Sequence, residues 1–230
     1  MTPELTILTF NAMAVAFIHT VIGPDHYVPF IVMAKARGWS LARTTWITLA
    51  CGIGHVASSV VLGLVGYAVG ANLRRLEWIE SFRGEIAAWA LIIFGALYAA
   101  WGLWRMKRKG PDGHTHEHLI RLHSHDHIHH PKTGVKISLT PWILFAIFVF
   151  GPCEPLIPLF IYPAATSGWA GAWLVSIAFS VVTIGSMLAL VLAGRYGLSW
   201  LPAGGIARYN HVLAGSTIAL AGGMIQFLGL

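Results

Sequence analysis

Six long apolar stretches run along the chain, separated by shorter polar ones, near residues 5–34, 44–71, 84–106, 137–163, 169–194 and 207–229. Each is long enough to cross a hydrocarbon core of about 30 Å as a helix. The first and fourth are longer than a span requires and contain prolines, so both are expected to tilt or break. A buried helix of a soluble protein explains any one stretch. It does not explain six in succession with almost no polar sequence left over. The pattern predicts an all-α polytopic membrane protein with six transmembrane helices, the first and fourth of them broken. No basic segment precedes the first apolar run, which is therefore read as a permanent span and not a cleaved signal.

The two halves resemble each other. Gly23-Pro24-Asp25-His26-Tyr27-Val28-Pro29-Phe30 and Gly151-Pro152-Cys153-Glu154-Pro155-Leu156-Ile157-Pro158 both read Gly-Pro, two metal-competent residues, then a further proline. Each lies in the first span of a three-span half. Three spans per half make the halves enter from opposite faces, which is an inverted repeat, and matched Gly/Pro interruptions point to a transporter's binding site. The expected organisation is a first three-helix repeat over 1–106, a loop over 107–136 and a second three-helix repeat over 137–230.

Composition agrees with a lipid environment. Hydrophobic residues make up 56% of the chain and charged residues 10%, against about 25% charged in soluble domains. Trp39, Trp78, Trp104, Trp142, Trp169 and Trp200 stand at ends of apolar runs, as interfacial tryptophans do. The net charge of +6 does not indicate nucleic acid, because the basic residues lie in the connections between spans. Twelve of them (Lys35, Arg37, Arg43, Arg105, Lys107, Arg108, Lys109, Arg121, Lys132, Lys136, Arg195 and Arg208) follow the first, third and fifth spans, and three (Arg74, Arg75, Arg83) lie on the other side. The positive-inside rule then places the first set in the cytoplasm and both termini outside. The expected location is the inner, cytoplasmic membrane. The two cysteines, with no C-x-x-C, argue against a disulfide scaffold.

Chemistry concentrates inside the spans. A carboxylate at the bilayer centre costs about 2.5–3.5 kcal/mol on insertion scales, so Asp25 and Glu154 are expected to face the interior and find partners. The first span adds His19 and His26. The second adds Cys51 and His55, spaced i,i+4 on one helix face, and the fourth adds Cys153 beside Glu154. Imidazole, thiolate and carboxylate together suit nickel, cobalt, zinc, iron or copper and not calcium or magnesium, which take oxygen ligands. Pro29 and Pro158 are each expected to free the carbonyl four residues earlier, at Asp25 and Glu154. His211 is read as hydrogen-bonded packing, and Glu85 as the interfacial partner of Arg83.

Between the third and fourth spans lie His114, His116, His118, His123, His125, His127, His129 and His130. Short His-rich tracts bind borderline metals through neutral imidazole. This auxiliary loop is expected on the cytoplasmic side, where it would buffer, sense or hand over metal.

These residues resemble a known family. His19-Thr20-Val21-Ile22-Gly23-Pro24-Asp25-His26 is similar to the signature helix of the nickel/cobalt permease superfamily, and most like its urease-accessory-like transmembrane branch. Gly52-Ile53-Gly54-His55 resembles that branch's second-span motif, and Gly151-Pro152-Cys153-Glu154 its second-half motif. The resemblance covers essentially the whole chain. It implies transport of nickel or cobalt, with His19, Asp25, His26 and His55 as the carried-over positions. The nickel importers of the superfamily have four residues between the His and the Asp-His pair and eight spans; here five residues intervene and six spans are expected. The metal and the direction of transport stay open.

The expected function is that of a secondary transporter, not an enzyme, working by alternating access at a midplane His/Asp/Cys/Glu site. Metal and protons compete for such ligands, so proton coupling follows as an expectation. One alternative is a thiol–disulfide electron carrier using Cys51 and Cys153, and another is an accessory protein that delivers metal. Expected partners are lipid, the metal ion and a metallochaperone or recipient metalloenzyme, with a homo-oligomer left open. No nucleotide-binding loop is present.

Overall fold

The computed structural model describes residues 2–108, 139–199 and 209–229. The eight histidines from His114 to His130 lie outside the described residues, as do Trp200 and Arg208. Among the described residues the regular elements are all helical. They are α1 (Pro3–Ile22), a 3-10 turn (Pro24–His26), α2 (Val28–Arg37), α3 (Leu41–Ala68), α4 (Leu73–Arg108), α5 (Leu139–Phe150), α6 (Leu156–Ser199) and α7 (Asn210–Leu228). Five of these, α1, α3, α4, α6 and α7, are long and apolar enough to cross a membrane, and α5 is a shorter apolar helix. The chain is thus a multi-pass helical membrane protein by length and composition.

Both overlong stretches are interrupted at Gly-Pro. A proline disfavours helical backbone at the residue before it, and Gly23 is accordingly extended, with φ −76° and ψ 103°. α1 ends there, with the Gly23 N–H donating to the His19 carbonyl. The second stretch ends α5 at Phe150, and α6 starts only at Leu156. Pro29 and Pro158 do not break anything. They sit in the first turns of α2 and α6, where a helix needs no N–H donor. The Glu154 carbonyl, expected to be free, accepts the Ile157 N–H at 3.4 Å.

α6 folds back on itself at Gly168, whose φ of 73° and ψ of −175° no helix contains. The Phe160 and Trp173 rings lie 6.0 Å apart, whereas thirteen residues of straight helix would separate them by about 20 Å. The first part of α6 completes the fourth apolar stretch and the second part is the fifth.

Most of the described basic residues gather at one end of the bundle, with Arg74, Arg75 and Arg83 in the first part of α4 as the exceptions. Lys35 and Arg37 at the end of α2 reach the Leu198 carbonyl of α6 and Thr140 Oγ1 of α5. Arg37 also lies over the Tyr98 and Trp101 rings near the end of α4, and Arg105 meets His211 at the start of α7. His211 also pairs with the Tyr98 hydroxyl at 2.8 Å, a packing role. The start of α4 and the end of α7 lie at the opposite end.

α4 and α7 approach until backbones touch. A Cβ on Gly95 would meet the Gly215 carbonyl oxygen at 2.6 Å, and one on Gly215 would run into Ala99 backbone. Small residues permit this approach where no hydrophobic drive separates helix from lipid. Gly185 has open space around it. Gly215→Ala is expected to destabilise the bundle by about 2 kcal/mol and lower its Tm in detergent, while Gly185→Ala leaves Tm unchanged or raises it. Thermal unfolding followed by size-exclusion fluorescence reads the difference.

Candidate metal site

The break at Gly23 lets the chain turn so that His26 folds back against His19, seven residues earlier. Their ring centroids are 4.7 Å apart and edge-on. His55, at the midpoint of α3, completes the group at 5.1 Å from His26. One nitrogen from each of His19, His26 and His55 lies within 4.8 Å of the other two. His26 and His55 are each 2% exposed.

Hydrogen bonding fixes which nitrogens face inward. His26 Nδ1 lies 3.0 Å from Asp25 Oδ1 and 3.2 Å from the Gly23 carbonyl. His55 Nδ1 lies 3.4 Å from the Phe148 carbonyl. Carbonyl and ionised carboxylate oxygens only accept, so in both rings Nδ1 carries the proton and donates, which leaves a lone pair on Nε2. The Nε2 atoms of His19, His26 and His55 are all buried and without a partner. Buried polar atoms are nearly always satisfied, and three such orphans within one histidine cluster fit a metal-ligand set. Oxygen acceptors behind metal-binding imidazoles fix tautomer and ring orientation, and Asp25 and the Phe148 carbonyl stand in those positions. Three neutral imidazoles suit zinc, copper, nickel, cobalt or iron(II). Small ring rotations bring such a set to the usual distance of about 2.0–2.1 Å.

Both Gly-Pro glycines are needed by the rings they support. A Cβ on Gly23 would stand 2.6 Å from His26 Nδ1 and 2.8 Å from Asp25 Oδ1, and one on Gly151 would stand 3.2 Å from His55 Nδ1. The sequence motif thus has two uses: proline stops the helix, and glycine leaves room for a histidine.

The remaining site residues distribute as follows. Asp25 is partly exposed and reaches the group through His26. Cys51 packs among Phe30, Ile31, Phe148, Met187 and Val191. Cys153 packs among Ala12, Ala16, Val56, Leu156, Val175 and Phe179, and its N–H donates to Ser59 Oγ. Both thiols are free, and they lie in separate apolar clusters. Glu154 is exposed and lines a cavity of about 530 Å³ together with His19, Asp25, His26, Glu85 and Gln226. The second break therefore meets His55 through backbone, at Phe148 and Gly151, and not through a side-chain ligand.

Glu85 is not the partner of Arg83. Arg83 Nη1 donates to Glu80 Oε2 at 2.7 Å, and its Nη2 donates to Ser58 Oγ at 2.7 Å and the Val149 carbonyl at 2.8 Å. Glu80 is fully buried. The i,i+3 spacing of Glu80 and Arg83 was the available signal, since residues two apart on a helix do not face each other. Arg83 ties α4 to α3 and to the end of α5, the segment whose carbonyl aims His55.

The chain matches no protein-family model, no curated protein and no solved structure.

Gly23→Ala is expected to displace His26 and weaken divalent transition-metal binding by about 10- to 100-fold, the range for lost support of a ligand. Calorimetric titration of purified protein carrying asparagine at the eight loop histidines reads this, with Gly185→Ala as the variant that keeps full affinity.

Proposed function

We propose that this protein is a secondary transporter that carries a divalent transition-metal ion across a membrane, holding it between His19, His26 and His55. One observation carries the reading: three histidines that each bring a ring nitrogen within 4.8 Å of the other two also each hold a buried Nε2 without a partner, in a multi-pass bundle. A purely structural histidine network would satisfy its own atoms.

Two further features support transport over storage. His19 and His26 line a cavity with Asp25, Glu85 and Glu154, which gives a cation an acidic approach. They also sit at the junction of a helix interrupted by Gly-Pro, and interrupted helices at midplane are how transporters expose a site to one face and then the other. The matched interruptions at Gly23 and Gly151 support an arrangement of two inverted repeats, in which α1 and α2 correspond to α5 and the first part of α6, α3 to the second part of α6, and α4 to α7. The six spans of this arrangement take each interrupted pair as one crossing. The gathering of basic residues at one end supports a cytoplasmic position for that end, which would put the histidine-rich tract in the cytoplasm, beside the release or loading face. Nickel or cobalt is the proposed cargo, from the resemblance of the three motifs to the nickel/cobalt permease superfamily.

The test is flux in liposomes containing this chain alone and a metal-sensitive dye. Wild-type protein is expected to move Ni²⁺ or Co²⁺ down its gradient. His26→Ala and His55→Ala are expected to reduce both flux and binding by at least about tenfold, the loss of one good ligand being worth more than about 1.4 kcal/mol. Asp25→Asn, which removes only the charge behind His26, falls between. Unchanged flux and binding in both histidine variants contradicts the assignment, and binding without flux reduces the protein to an accessory metal carrier.

A further inference from the structure

The two sides of the histidine group are built differently. Toward the end where α4 starts and α7 finishes lies the acid-lined cavity. Toward the basic end lies a wall. Its first layer is apolar: Phe30 of α2 and Phe148 of α5 meet edge-on at 4.7 Å, and Cys51, Met187 and Val191 complete the layer, all buried. The Phe148 ring is 6.2 Å from that of His55, so the layer lies directly beneath the site.

Behind the aromatic layer is a polar clamp. Arg195 Nη1, from the last turns of α6, donates to the Trp39 carbonyl at 2.6 Å and to Thr44 Oγ1 at 2.7 Å. Lys35 Nζ, from α2, donates to the Leu198 carbonyl at 2.8 Å. The Arg195 bonds join α6 to the segment between α2 and α3 and to α3 itself, and the Lys35 bond joins α6 to α2. The acceptors are neutral, and no carboxylate pairs with either cation among the described residues. A charge held only by neutral oxygens is easier to release than one in a buried ion pair, where losing the partner leaves an uncompensated charge. While in place, it also repels a cation approaching from that end.

A stripe on α3 connects the two regions. Thr44, Thr48, Cys51, His55 and Ser59 recur at spacings of three and four and are all buried, so they share one helix face. Thr48 Oγ1 is buried without a partner, midway between the clamp and Cys51.

We infer that the structure is the state loaded from the acidic cavity, that the Phe30–Phe148 layer and the Arg195 clamp form the closed gate of the opposite face, and that the ion leaves past Cys51, Thr48 and Thr44 when Arg195 lets go of Trp39 and Thr44. This inference rests on the transport reading given above. Arg195 is a positioning residue: it touches no ligand nitrogen and acts by holding α6 against α3.

Cys51 reports the gate. In liposomes containing Cys153→Ala protein, Cys51 is the remaining thiol, and a membrane-impermeant methanethiosulfonate reagent is applied to each face in turn. With Arg195 present, Cys51 is expected to react slowly from both faces. With Arg195→Gln added, reaction from the basic face is expected to rise roughly tenfold or more, as loss of hydrogen bonds from a charged donor implies, with little change from the cavity face, and Arg195→Lys restores protection. Thr44→Val, which removes one acceptor and keeps the shape, gives a smaller rise in the same direction and replaces Arg195→Gln should that variant not fold. Retention of metal affinity by these variants separates an opened gate from a disrupted bundle. Unchanged Cys51 reactivity in folded, metal-binding Arg195→Gln and Thr44→Val proteins overturns the inference, and so does faster reaction from the cavity face. Gate opening without flux in the dye assay leaves the gate standing and overturns the transport reading, whereas flux with no change at Cys51 does the reverse.

Discussion

Proline lacks an N–H and disfavours helical backbone at the residue before it, and that constraint organises this molecule. At Gly23-Pro24 it ends α1 one turn after His19 and lets the chain reverse enough for His26 to return to the same point. At Gly151-Pro152 it ends α5 and places the Phe148 carbonyl behind His55. Had either helix continued, His19 and His26, seven residues apart, would lie about 10 Å apart along the axis, and His55 would have no acceptor to fix its ring. Irregular backbone at membrane depth is tolerated only where protein or a cavity covers it. Here the bundle covers one side and the acid-lined cavity the other.

Much of this was legible in the sequence. Long apolar runs marked the helices because hydrocarbon leaves no other way to satisfy a backbone, and the Gly-Pro dipeptides marked both breaks. His19, His26 and His55 were legible as members of a wider candidate set that also held Asp25, Cys51, Cys153 and Glu154. What was not legible depended on side-chain direction. Cys51 is one turn from His55 on α3, but one turn is about 5.4 Å, enough to put its sulfur in an apolar layer. Glu154 follows a break in the matching position to His26, yet it turns to the cavity. Arg83 had two acidic residues within reach in sequence, and only helix geometry selects Glu80. The fold-back at Gly168 falls in the gap between the fourth and fifth apolar stretches, where a turn between two helices needs only one residue of positive φ.

The contrast between the two ends of the bundle gives the site a direction. Carboxylates and an open cavity lie on one side, and aromatic rings and two clamped cations on the other; on the transport reading the first would attract a metal ion and the second would refuse it. A site with equal access from both sides would be a pore. One with a thin apolar wall and a releasable clamp on a single side has the asymmetry that alternating access requires. In the proposed arrangement of two inverted repeats, the same helices would exchange which end they close.

The claim on which all of this rests is that the three Nε2 atoms bind metal. X-ray absorption at the metal edge, on protein loaded with one equivalent of Ni²⁺ or Co²⁺ and carrying asparagine at the eight loop histidines, measures it directly. The account predicts a first shell containing three imidazole nitrogens at about 2.0–2.1 Å, reduced by one in His55→Ala. A shell of oxygens alone, a sulfur shell from Cys51 or Cys153, or a spectrum unchanged by His55→Ala would contradict it.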